Sequence, residues 1–160
     1  MLTITDFYPH PMEKKVDFLV LGTGLAGLSF ALKLADHGKV LLVSKTRLLE
    51  TNTRYAQGGI AAVTHEPDNY KKHIEDTIKA GDGLCNRKVV EMVVEEAPAQ
   101  IEELINWGAR FDKKDSGEYD LAREGGHSEK RILHHKDNTG EEIQRALSEE
   151  VKRHDNIEIL

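Results

Sequence analysis

Residues 17–38 read DFLVLGTGLAGLSFALKLADHG: an apolar run, a glycine-bearing turn and a stretch of helical periodicity. The apolar run, Val16 to Leu21, has the character of a buried strand. Leu28, Ala31, Leu32 and Ala35 fall at i, i+3, i+4 and i+7, so they share one helical face. Gly38 stands where a helix C-cap glycine belongs. KVLLVS, Lys39 to Ser44, reads as a second strand. Strand, helix and strand within about thirty residues make a βαβ unit, which opens a parallel sheet. The fold class is therefore α/β, with a Rossmann-like beginning.

Gly22, Gly24 and Gly27 stand in the order G-x-G-x-x-G between strand and helix. Gly22 permits the tight turn, Gly24 lets a pyrophosphate approach the backbone, and Gly27 lets the helix pack close to the strand. The amides and the dipole at the helix start suit an anion. A strand before the motif and a helix after it make dinucleotide binding the better reading than a turn that only helps packing. The end of the second strand leaves the nucleotide open. A carboxylate is expected there for the adenosine ribose, but the sequence has Ser44, Lys45 and then Arg47. Lys45 and Arg47 fit the extra phosphate of NADP. Ser44 and Lys45 equally fit the adenosine of a flavoprotein variant. A solvated strand-end lysine is the bland reading of Lys45.

The rest of the chain carries further helices and short strands. Asn69 to Ala80 reads as a helix, and Asn86 caps another with Val89, Val90, Val93, Val94 and Ala97 on or near its buried face. Pro98 is expected to kink that helix or open a new one. FDKKDSGEYDLAREGGH is turn-rich, and KRILHH suits a strand. Thr139 and Glu142 have capping-box spacing before a helix faced by Ile143, Ala146, Leu147 and Val151. NIEIL then reads as a strand without its neighbours, so the chain is expected to be a fragment or to be completed by something else.

Twenty-two Lys and Arg against 28 Asp and Glu give a formal charge of −6, which disfavours nucleic acid as a partner. No apolar run approaches the ~20 residues of a membrane span. The single Cys85 rules out an internal disulfide framework and fits a reducing cytoplasm. Residues 1–15 lack the apolar core of a secretion signal and read as an N-terminal arm, leaving 16–160 as one domain. No metal is expected. His65 and His73 lack partners at ligand spacing, and adjacent strand residues such as His134 and His135 point to opposite faces.

TNTRYAQGGIAAV, Thr51 to Val63, is more specific. Hydroxyls and amides at Asn52, Thr53 and Gln57 suit a phosphate or an isoalloxazine edge, and Gly58 and Gly59 let the backbone come close to a flat ring. The order GTGLAG, LLVSK, TNTRYAQGGIAAV and REGGH resembles the succinate dehydrogenase and fumarate reductase flavoprotein superfamily, and within it the branch that oxidises L-aspartate. The resemblance runs from about Val16 to the last residue. It implies a partial FAD-binding domain, with a parallel sheet and an inserted helical segment, that stops before the family's capping domain. It places FAD contacts on Thr23, Gly24, Leu25 and Ala26, on Lys45 after Ser44, and on Asn52, Thr53, Arg54, Tyr55, Ala56, Gln57, Gly58 and Gly59. Branches with covalent flavin carry a histidine where this chain has Asn52, so FAD is expected to be noncovalent.

By the same resemblance, Glu124 orients the substrate through its amino group, which succinate lacks. His127 is a weaker candidate for touching substrate or flavin. The implied reaction is oxidation of L-aspartate to iminosuccinate, with oxygen or fumarate as acceptor and quinolinate synthase downstream. The catalytic arginine and the groups that hold both carboxylates come later in such enzymes. No catalytic residue is therefore expected in these 160 residues, and the piece alone is expected to be inactive. Three rivals remain: a fumarate reductase or succinate dehydrogenase-type flavoprotein, an NADP-binding reductase and a non-catalytic nucleotide-binding module.

Overall fold

A computed structural model describes residues 14–160, so most of the expected N-terminal arm, 1–15, lies outside the described residues. The opening stretch forms β1 (Phe18–Leu21), α1 (Leu25–Ala35) and β2 (Val40–Val43). β2 is the middle strand of a three-stranded parallel sheet ordered β1-β2-β5. The element names continue along the chain as β3 (Ile60–Ala61), α2 (Tyr70–Ala80), α3 (Arg87–Asn106), β4 (Ile132–Leu133), α4 (Thr139–Arg153) and β5 (Ile157–Ile159). β3 and β4 pair antiparallel as a separate small sheet. The core joins α1, the sheet and α4 through Leu28, Ala31, Leu32, Leu42, Ile143, Leu147 and Val151.

The helical faces of α1 and α4 bury the residues their spacing selects. Asn69 and Asn86 cap α2 and α3 through their side chains, satisfying amides that a helix start leaves free. Three local expectations give way, and so does the alternative that Pro98 opens a new helix. Gly38 is no C-cap, because α1 ends at Asp36. A Cβ at Gly38 would lie 2.6 Å from the Asp17 carboxylate, which accepts the Lys39 N–H at 2.8 Å. α3 runs through Pro98 without a break, its second half held by buried Ile101 and Leu104. Val89 and Val93 face outward, 49 % and 57 % exposed, while Val94 is buried. The capping box does not form: the Thr139 hydroxyl accepts the His135 N–H, and Glu142 turns to Arg145 and to the Arg110 N–H.

Among the described residues, β1 is uncovered on one face. Leu19 and Leu21 on β1 are 60 % and 74 % exposed, although parallel strands are ordinarily covered on both faces. Among the described residues, no helix is long and apolar enough to cross a membrane.

Candidate nucleotide and substrate site

The glycine turn is built by close approach. Gly22 has φ +102°, and a Cβ on Gly27 would lie 1.9 Å from the Gly22 carbonyl oxygen. The head of α1 therefore rests directly on the end of β1. Thr23 is buried, and its hydroxyl lies 3.1 Å from that of Ser44, which links the ends of β1 and β2. Lys45 and Arg47 are exposed beyond them.

The second segment folds against this turn. The Leu25 N–H donates to Thr53 Oγ1 at 2.9 Å. That N–H is thus already partnered, which leaves the amides of Ala26 and Gly27 as first-turn donors without an intrahelical acceptor. The Thr53 hydroxyl, accepting from Leu25, keeps its own proton to donate. Arg54 and Tyr55 turn to acidic partners: Arg54 to Glu50 and Glu141, the Tyr55 hydroxyl to Glu50 at 2.8 Å. Hydrogen bonding to Glu50 holds the Tyr55 hydroxyl above its usual pKa. Asn52, Ala56, Gln57 and Gly58 are exposed along the same turn. The two glycines differ. Gly58 faces open space, as approach to a flat ring requires. Gly59 is crowded by the protein itself, because a Cβ there would lie 2.3 Å from the Leu133 carbonyl of β4. Its smallness therefore serves the β3–β4 pairing.

Glu124 lies in a shallow cleft with Gln57, Gly59, His134 and Lys136. Its side chain is exposed there. The loop that carries it is anchored from below by Arg131, whose side chain is fully buried. Arg131 donates from Nε and Nη2 to the two oxygens of Asp68, each at 2.8 Å. Its Nη1 lies 2.6 Å from Asp76 Oδ2 and 3.1 Å from His127 Nδ1. An arginine only donates, so in this contact His127 accepts through Nδ1. His127 thus belongs to the anchor, stacked edge-on against His73 at 5.6 Å. Sequence reasoning missed Arg131 because the lone signal, a basic residue before an apolar pair, is commonplace.

The anchor shifts its members' charges. Burial, then the Arg131 cation, pushes the His73 pKa down. Burial pushes the Asp68 carboxyl up, but its hydrogen bonds to Arg131 outweigh this and hold it low. Asp76 is likewise pushed up by burial, yet the Ser128 N–H, Arg131 and the Ser128 hydroxyl bring it down to about 2. Its folded pKa thus lies below the unfolded value of about 3.9. The resulting stabilisation, roughly 2–3 kcal/mol, is present above about pH 4 and is lost as pH falls through about 2. In urea titrations at stepped pH, the stability advantage over Asp76→Asn is expected to shrink across that window. An advantage independent of pH would refute the assignment.

His134 and His135 do not point apart as strand neighbours would, because β4 ends at Leu133. Their Nδ1 atoms lie 3.3 and 3.5 Å from the two oxygens of Asp112. Among the described residues, no group of three acidic, histidine or cysteine side chains has the arrangement of a metal site.

Comparison with known proteins identifies the family. The sequence profile of the FAD binding domain family matches residues 17–160. An L-aspartate oxidase of Nicotiana tabacum is 50 % identical over 143 residues, covering 89 % of this chain and 22 % of that protein. One from Vibrio cholerae is 44 % identical, covering 92 % and 29 %. Among solved structures, an E. coli quinol fumarate reductase superposes with a TM-score of 0.85 at 30 % identity, covering 90 % of this chain and 25 % of that one. A Mycobacterium smegmatis Sdh1 complex gives 0.82 at 31 %, covering 91 % and 27 %. The chain spans between a fifth and a third of the length of these relatives.

Proposed function

The chain belongs to the FAD binding domain family, and from that premise we propose that it is the nucleotide-binding N-terminal part of an FAD-dependent L-aspartate oxidase. Residues 16–160 then form the first portion of one FAD-binding domain, and the rest of the parent enzyme completes it. The observation that carries the reading is the meeting of Glu124 with Gln57 and Gly59 in one cleft. Identities of 44–50 % to proteins named L-aspartate oxidase support it.

The residues fit the cofactor. The free amides of Ala26 and Gly27, beside Gly22 and Gly24, suit a pyrophosphate. The Thr53 hydroxyl has a proton left to give. Ser44 and Lys45 lie at the adenosine end, and the open Gly58 admits a flat ring. Asn52 has no imidazole for a covalent flavin link, so we assign a noncovalent cofactor. Bound FAD supplies the hydride acceptor for oxidation of aspartate to iminosuccinate. Glu124 accepts hydrogen bonds from the substrate amino group and so turns the α-carbon towards the flavin segment. A dicarboxylate without that amino group leaves the carboxylate unpaired, which selects against succinate. Oxygen or fumarate takes the electrons in this reading, and iminosuccinate passes to quinolinate synthase on the route to NAD. We assign the enzyme to the cytoplasm on the single cysteine, although the tobacco relative is described as chloroplastic. These residues alone are inactive in this reading.

Glu124→Gln in the full-length enzyme tests the substrate assignment. Loss of a charged hydrogen-bond partner is expected to lower kcat/KM for aspartate about tenfold to a hundredfold. Turnover of succinate or fumarate changes less. Equal effects on both would move the reading to the second candidate, a fumarate reductase-type flavoprotein, which the superposition on the E. coli enzyme supports.

A further inference from the structure

Gln144 lies on α4, outside every segment assigned so far to a nucleotide, and its side chain is fully buried. Its neighbours on that face, Ile143, Ala146, Leu147 and Val151, are apolar. A buried amide costs free energy unless it is bonded, and this one is bonded at both ends. Oε1 accepts from the Thr51 hydroxyl at 2.8 Å. Nε2 lies 2.9 Å from the Thr23 carbonyl, 3.1 Å from the Leu48 carbonyl and 3.2 Å from the Ser148 hydroxyl.

Three of these partners stand on two separate connections: Thr23 on the glycine turn after β1, and Leu48 and Thr51 on the loop between β2 and β3. The linkage continues outward. Thr51 Oγ1 also accepts the Arg54 N–H at 3.1 Å, which shapes the turn that presents Thr53 to the head of α1. The Gly140 N–H, on the first turn of α4, donates to the Ala56 carbonyl at 3.0 Å. α4 therefore holds the nucleotide segments from behind, and Gln144 bonds to both the glycine turn and the β2–β3 loop.

We propose that Gln144 is a positioning residue that pre-forms the FAD cradle, fixing the glycine turn and the β2–β3 loop in their bound arrangement before the cofactor arrives. The proposal rests on the FAD reading above. Without Gln144 the loops must be ordered during binding, and that ordering cost appears as lost affinity.

The test uses the full-length enzyme stripped of FAD, titrated with FAD by flavin fluorescence, with the Tm of the FAD-free protein measured alongside. Gln144→Leu keeps the bulk and removes both ends of the amide. It is expected to raise the FAD Kd at least tenfold. Thr51→Val leaves the Nε2 bonds in place, removes the Oε1 link together with the Arg54 N–H bond, and is expected to raise Kd severalfold, with Thr51→Ser restoring both. At saturating FAD, the KM for aspartate stays within twofold, because Gln144 hydrogen-bonds to no residue of the Glu124 cleft. A Kd within twofold of the parent in Gln144→Leu and Thr51→Val overturns the proposal, even if Tm falls. If Gln144→Leu does not fold, the Thr51 pair decides. Failure of the unmodified enzyme to bind FAD overturns the cofactor reading instead.

Discussion

Arg131→Leu is expected to cost about 3–5 kcal/mol of stability, the range for removing one partner from a buried ion pair. The guanidinium and the Asp68 carboxylate are both fully buried. Leucine would leave that carboxylate without its cation and Asp76 without its closest donor. It would also free the His127 ring, loosening the loop that carries Glu124. Arg131→Lys is expected to recover less than half of the loss, because one ammonium cannot span both Asp68 oxygens and also reach Asp76. Chemical denaturation measures both variants, and a loss below about 1 kcal/mol for leucine would contradict the account. Limited proteolysis adds a local readout, with cleavage expected first between residues 123 and 130.

The second large effect belongs to Gly27→Ala. The new methyl would sit 1.9 Å from the Gly22 carbonyl oxygen and 2.9 Å from its carbon, both backbone atoms without a rotamer to yield. α1 must lift from β1, and with it the amides of Ala26 and Gly27. Stability is expected to fall by about 1–3 kcal/mol, as for other overpacked sites. FAD affinity is expected to fall further, by about a hundredfold or more, since the lifted turn no longer aims its donors. Gly58→Ala is the control, because its added carbon meets open space and should leave stability nearly unchanged. Equal stability losses in the two variants would show that crowding at Gly27 is not the cause.

These two positions mark where sequence reading succeeds and where it stops. Gly27 is legible because its role is local, with turn, strand and helix all within a few residues. The faces of α1 and α4 and the asparagine caps are legible for the same reason. Arg131 and Gln144 are not. Each is one polar residue whose partners lie far along the chain, Asp68 at 63 positions and Thr23 at 121. No periodicity announces such a bond. The capping box misled for a related reason: Glu142 found a stronger partner in Arg145 than in its own helix start. Pro98 opens no new helix because tertiary packing beyond it outweighs one missing hydrogen bond. In the cleft, resemblance supplied Glu124, while its neighbours His134 and Lys136 follow from the course of the chain beyond β4.

The placement of α4 behind the glycine turn also sets a timetable. A ribosome adds about 5–20 residues per second, so Gln144 emerges on the order of ten seconds after Gly27. For that interval the turn exists without the helix that braces it. Cofactor capture by the nascent chain must wait until α4 has cleared the exit tunnel. The competence of the earliest-made turn thus waits on a helix made on the order of a hundred residues later.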